Sequence, residues 1–297
     1  MMRSLYSGVA GLRTHQTKMD VVGNNISNVN TYAYKSQRAT FRDLYYQTTR
    51  ASSNGVNAMQ LGYGAQVGSI DTLHMRAGYS PTDRPMDVYI DGEGFITVAD
   101  PNGGEMYTRV GALSFMPIKG SATGDYRLVD INGNPILGCN ATIVPSVPGP
   151  PVVPGSSTMP GIDANSEIAT PEEVVVKNFA DYTNISIGAD GIITGIDKTG
   201  TVLELGAIAI AKISNPEGLT MQGNSYFKAI NNTGDISYNK ASKNGVGGLV
   251  TGALEMSNVD LAKEFTDMIT TQRGYQANSR IISVVDEMLQ ELVNLKR

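Results

Sequence analysis

Apolar residues fall at two different spacings along this chain. Near the N-terminus Leu5, Leu12, Met19 and Ile26 recur every seven residues, with Val22 and Val29 three places beyond the last two. Near the C-terminus Leu261, Met268, Tyr275, Ile282 and Leu289 keep the same step, and Val285 and Leu292 follow at three further. One apolar residue per two turns draws a narrow stripe on a helix, suited to a coiled-coil seam. The spacing predicts amphipathic helices over 1–30 and 255–297. Both are marginal, because the partner positions hold Gly8 and His15 in the first, and Glu264, Thr271 and Asn278 in the second. "SNVD" (257–260) opens the second helix, with Ser257 or Asn258 as its N-cap ahead of Asp260. The first helix gives out at "VVGNNISNVNTYAYK" (21–35), where Asn24, Asn25, Asn28 and Asn30 offer side chains that compete with helical backbone bonds.

Between the ends the period changes to two. "DVYIDGEGFITV" (87–98) alternates around Asp91–Gly92, "YRLVDINGNPIL" (126–137) around Asn132–Gly133, and "ISIGADGIITGI" (185–196) around Asp190–Gly191. Asn-Gly or Asp-Gly between apolar runs is a strong hairpin signal, and "TVLELGAIAIAKI" (201–213) adds a strand. The fold class is therefore α+β. A central all-β domain of hairpins covers 76–144 and 172–230, and terminal helices that pair as a coiled-coil-like inner core cover 1–30 and 255–297. Residues 31–75 and 231–254, polar and Gly-rich, read as linkers. The segment 145–171 holds seven of the thirteen prolines. Proline cannot donate to a ladder or continue a helix, so this segment reads as an exposed excursion.

Composition narrows the function. The net charge of −5 and pI near 5.1 leave no basic field for nucleic acid. No run approaches the ~18 apolar residues of a membrane helix, so no membrane insertion is expected. A single cysteine, Cys139, excludes an internal disulfide framework or a multi-cysteine zinc site. The first eighteen residues are broken by Arg13, His15 and Lys18, unlike a cleaved secretory signal, so any export takes another route.

Catalytic constellations are missing as well. The two histidines, His15 and His74, fall in different segments, and no H-E-x-x-H, G-x-S-x-G or phosphate-loop motif occurs. "GYGAQVG" (62–68) has the wrong spacing for a dinucleotide site and reads as a flexible turn. Asp87, Asp91, Glu93, Asp100 and Glu105 sit mostly at turns, where carboxylates are expected for conformational reasons. The reading is no enzyme, no cofactor and no metal, but a chain whose useful surface meets copies of itself. A β-sandwich enzyme and a monomeric binding module remain as other classes. Narrow stripes bury too little area to offset chain entropy alone, so the ends should order on assembly.

"SLYSGVAGL" (4–12), "DVVGNNISNVNT" (20–31) with "YK" (34–35), "IDGEGFITV" (90–98), "YTRVGALSF" (107–115) and "GALEMSNVDLAKEFTDMITTQRGYQANSRII" (252–282) resemble the bacterial flagellar rod and hook proteins. The resemblance implies a structural subunit of the flagellum whose terminal helices line an axial homopolymer. Leu5, Leu12, Met19, Asn24, Asn25, Ile26, Asn28, Val29, Leu261, Phe265, Met268, Tyr275, Ile282, Val285, Leu289 and Leu292 are then the candidate self-assembly residues. It also implies export by the flagellar type III apparatus, and neighbours among the rod, hook cap and hook–filament junction proteins. The location implied is the extracellular hook or the basal body. "MMRSLYSGVAGL" and "EMLQELVNLKR" (287–297) resemble the hook protein, and "FRDLYYQT" (41–48) the distal rod protein as much. The resemblance thus favours a hook that transmits torque, with the distal rod as the alternative.

Overall fold

The structure, a computed structural model, describes residues 2–295 except 53–54, 56, 102, 119–123, 145–155, 160–166, 169 and 199. The chain folds as helices at its two ends around a mostly β middle, an α+β protein. It divides into two compact units, a helical unit of Met1–Asn30, Lys35–His74 and Asn258–Arg297, and a sheet unit of Thr31–Tyr34 and Met75–Ser257.

In the helical unit α1 (Met2–Ser27) and α2 (Leu261–Asn294) lie side by side. Asp260, two or three residues later than the sequence suggests, caps α2: its carboxylate accepts from the Ala262 and Lys263 amides at 2.9 and 3.3 Å. Asp260 wins because only its side chain sits where it reaches the first free N–H groups. Asn258 is used elsewhere, accepting from the Ser36 amide at 2.7 Å and donating to the Leu73 carbonyl at 2.8 Å.

Residues 31–75 are not a linker. They contain β1 (Gln37–Asp43), β2 (Tyr46–Arg50), β3 (Met59–Gly62) and β4 (Ala65–Thr72), with β1 on β4 and β2 on β3 in one antiparallel ribbon. The base of the ribbon packs on α1, where the Phe41 ring meets the His15 ring edge-on at 6.2 Å between centroids. Its outer half, β2 and β3, is exposed at every position. With no face turned into a core, β2 and β3 have no period-two alternation to read.

The sheet unit is antiparallel throughout. Its six-stranded sheet runs Thr220–Gly223, Tyr226–Lys228, Gly104–Thr108, Phe95–Asp100, Ile210–Ile213, Ile236–Asn239. A five-stranded sheet runs Glu172–Glu173, Leu137–Asn140, Val202–Ile208, Ile192–Asp197, Tyr182–Ile187. The run 201–213 serves both sheets, switching at Ala209, whose amide donates to the Leu137 carbonyl at 3.1 Å. Between the layers Val88, Ile96, Leu128, Ile136, Leu205 and Ile208 form one buried apolar core.

The hairpin at 185–196 is present, with Ile187 opposite Ile193 and Gly191 at φ 78° in the turn. At 126–137 the chain does reverse, but the return is a single bridge between Val129 and Pro135. The stretch 87–98 is not a hairpin: Val88–Asp91 pairs with Gly248–Thr251, and Phe95–Asp100 with Gly104–Thr108 and Ile210–Ile213. Gly92 and Gly94, at φ 145° and 125°, swing the chain from one sheet to another instead of folding it back. Residues 231–254 are likewise no linker. They supply the strands Ile236–Asn239 and Gly248–Thr251, joined by a turn with Ser242, Asn244 and Gly245 at positive φ.

Much of 145–171 lies outside the described residues. Of the rest, Ser156–Thr158 pairs antiparallel with Thr142–Val144, and Ile168 is fully buried with Cys139 and Ala209. The segment therefore pairs and packs at these two places, where proline is absent.

Candidate functional site

The contacts between α1 and α2 run in opposite numerical order, so the helices are antiparallel. Gly8 faces Ile282 and Asn278, Gly11 faces Asn278, His15 faces Gly274, Lys18 faces Asp267 and Asn25 faces Glu264. On α1 Gly8, Gly11, His15 and Lys18 step by three and four, the period of a seam, and two of them, Gly8 and His15, are positions that looked like gaps in the sequence. The reason is close approach. A Cβ at Gly11 would stand 2.6 Å from Asn278 Nδ2, and one at Gly274 would stand 2.6 Å from His15 Cε1. Glycine lets the two backbones come near enough for polar side chains to fill the gap.

Polar bonds finish the seam. Lys18 Nζ reaches Asp267 Oδ1 at 3.0 Å. Asn25, buried, donates to Glu264 Oε1 at 3.1 Å and to the Gln37 carbonyl at 2.9 Å, while its own Oδ1 accepts from the Gln37 amide at 3.0 Å. One side chain thus ties α1, α2 and β1 together. Thr14 and Thr271 are buried and bond back to their own helices, to the Gly11 carbonyl at 2.9 Å and the Asp267 carbonyl at 2.6 Å. Burial, and then the Lys18 charge, hold the His15 imidazole below its ordinary pKa. Burial pushes the Glu264 carboxyl above its ordinary range.

The candidate assembly residues separate into three groups. Asn25 and Val285 lie inside the unit. Leu5, Leu12, Met19, Ile26, Asn28, Val29, Met268, Ile282 and Leu289 are half-buried on the flanks of the seam. Asn24, Leu261, Phe265, Tyr275 and Leu292 are exposed. The last four are joined by Ile269, Ile281, Val284 and Met288, which the seven-residue reading passed over; these eight apolar side chains are each 39–52% exposed. Seven of them form two ridges on α2. Leu261, Phe265 and Ile269 step by four along its first turns. Ile281, Val284, Met288 and Leu292 step by three, four and four along its second half. The second stripe was legible as helical periodicity, but a single-stripe template hides it.

An apolar ridge on an otherwise polar helix is suited to burial against another surface. His15 is on α1 and His74 follows β4. Asp87 accepts from Thr82 Oγ1 at 2.7 Å, and Glu105 is bonded to Tyr107 and Tyr238. Among the described residues no group of His, Cys, Asp and Glu could hold a metal ion, and no helix is long and apolar enough to cross a membrane.

Three family models match the chain. They are described as flagella basal body rod protein, over residues 5–35; flagellar hook protein FlgE/F/G D1 domain, over 89–195; and flagellar basal body rod FlgEFG protein C-terminal, over 250–295. Similar proteins include the flagellar basal-body rod protein FlgG of Bacillus subtilis, 38% identical over 305 positions with both chains covered in full. Two come from Borreliella burgdorferi, each with both chains covered in full: the hook protein FlgE, 28% identical over 442 positions, and the rod protein FlgG, 31% identical over 305.

Proposed function

The chain belongs to the flagellar rod and hook protein family, and from that premise we propose that it is a rod subunit polymerising through the apolar ridges of α2. It is a structural protein and not an enzyme. The observation that carries the choice of rod is length. The 297-residue chain aligns with rod relatives over 305 positions, end to end, whereas hook relatives require 442 and 467. A hook relative therefore has well over a hundred residues with no counterpart here. The hook, favoured by the end motifs in the sequence, is the second reading, supported by full coverage of both chains at 28% identity.

The polymer's own subunits are the main partner, with neighbouring axial proteins at each end and the type III export apparatus before assembly. The exposed ridges support this, since each leaves large apolar side chains in water that a neighbouring copy would cover. Electron microscopy of the purified protein at high concentration tests polymerisation; absence of tubes at any concentration counts against it. Gold-labelled antibody raised against the surface around Ile131 and Val202, both well exposed, then separates the two readings. A rod is labelled only after the envelope is opened, on a straight segment. Labelling of a curved segment on intact cells transfers the assignment to the hook.

A further inference from the structure

Segments that carry the family resemblance meet at one buried ion pair in the sheet unit. Arg109, from "YTRVGALSF", places Nη1 3.2 and 3.3 Å from the two carboxylate oxygens of Glu255, from "GALEMSNVD". Its Nη2 donates to the Gly92 carbonyl at 2.7 Å, and its guanidinium carbon lies 5.3 Å from the centre of the Phe95 ring, both residues of "IDGEGFITV". The two charged side chains are 5% and 0% exposed.

Glu255 also holds the places where the chain enters and leaves this unit. The chain passes between the units at 30–31, 34–35, 74–75 and 257–258. Beside the first two crossings, the Ala33 amide donates to the Glu255 carbonyl at 2.9 Å. Beside the third, the Ala77 amide donates to Glu255 Oε1 at 3.4 Å, and Gly78 accepts from the Met256 amide at 2.9 Å. Tyr79–Pro81 then pairs with Ala253–Glu255.

Thermodynamic stability does not explain such a pair. A buried ion pair is commonly no better for stability than apolar side chains of the same volume, because desolvation cancels the attraction. What it supplies is short-range, directional attachment. We propose that Glu255, locked by Arg109, is a mechanical clasp that joins every entry and exit of the sheet unit, so that a pull on one segment is shared by all. Its use rests on the reading of the chain as an axial rod subunit, but the clasp itself is a property of the monomer.

The test pulls the full-length monomer from its two ends in an optical trap and follows the rupture of the sheet unit. In Arg109→Met/Glu255→Met the expected result is a lower rupture force at an essentially unchanged melting temperature. Glu255→Gln, which strands the Arg109 charge, should lower both. An unchanged rupture force in the double variant overturns the clasp, as does a force that falls only in step with melting temperature. Hydrogen exchange on the unaltered protein decides the matter independently of how the variants fold. The amides of Ala33, Ala77 and Met256 should exchange as slowly as those of the buried strands, and faster exchange through a local opening overturns the proposal. Failure here with tubes still forming would leave the assembly reading standing; the reverse outcome would separate them equally.

Discussion

In the sheet unit the buried positions include Val88, Ile96, Leu128, Ile136 and Ile208; on α1 and α2 they are Gly8, Thr14, Val21, Val22, Asn25, Thr271 and Val285. The first set removes apolar surface from water, worth about 25 cal/mol per Å², and gives a core that needs nothing outside the chain. The second set fixes a register by close approach and polar bonds but buries little apolar area. On α2 the large apolar side chains are mostly on the outside. The difference teaches where the proposed assembly would enter: the sheet unit buries its apolar side chains by folding, and α2 leaves its ridges in water for a further surface to cover.

The largest expected effect is in the sheet unit. Leu128→Ala opens a cavity at a fully buried position, and such truncations cost about 2–5 kcal/mol. Denaturant unfolding followed by a probe in the sheets should show that loss, while a probe on α2 keeps its midpoint. A shared shift would mean that the two units melt as one and would erase the contrast.

Next comes the seam. Gly274→Val places a branched side chain where the first carbon already meets the His15 ring. Overpacking of this kind costs about 1–3 kcal/mol, and here it falls on the helical unit. Hydrogen exchange should lose protection in α1 and α2 and keep it in 88–137. If the helices keep their protection, the glycine contact is not what sets their spacing.

The sequence disclosed one half of this comparison better than the other. Both helices follow from their seven-residue steps, and the 185–196 hairpin from Asp190–Gly191, because in each the local pattern and the tertiary surroundings agree. Within the ribbon 37–72, β2 and β3 were illegible, since strands exposed on both faces carry no alternation. The seam was misread for a physical reason. Apolar periodicity locates area to be buried, whereas this seam is set by the smallness of Gly11 and Gly274, a property invisible until the facing residue is known. Asn25 stood out as part of an Asn-rich run, but only the fold distinguishes it from exposed Asn24. The partners Arg109 and Glu255, 146 positions apart, were both inside recognisable motifs, yet no local pattern joins them.

A third test sharpens the split within α2 itself. Val284→Asp and Met288→Asp alter exposed positions, so monomer stability should stay within the ~0.5 kcal/mol typical of surface changes, while polymerisation is lost. Ile282→Asp differs, because Ile282 packs over Gly8: it should loosen α1 from α2 in the monomer before any copy is met. Light scattering on concentrated protein and exchange on dilute protein separate the two outcomes. Normal assembly of both ridge variants would remove the ridge from the interface.

The smallest effect expected is a pH dependence confined to the helical unit. His15 has a lowered pKa in the folded chain, from burial first and Lys18 second. The unfolded chain, with its imidazole near the ordinary 6.5, therefore binds the proton first as pH falls. By linkage, the stability that neutral His15 contributes is whole above about pH 6.5 and declines as pH drops below it toward the folded value. Glu264 acts in the opposite sense. Its carboxyl is raised, by burial first, so the folded chain takes up that proton first and gains stability as pH falls toward the ordinary carboxylate range. The helical unit should thus weaken on mild acidification and recover part of the loss at lower pH. His15→Gln removes the first limb and leaves the second. Exchange rates in α1 and α2, measured from pH 7.5 to 5 and corrected for the intrinsic pH dependence of exchange, should run together near pH 7.5 and separate toward the acid end, with the parent losing more protection. Parallel profiles over the whole range would show that His15 takes up its proton equally in the folded and unfolded chain, and that the seam does not feel its charge.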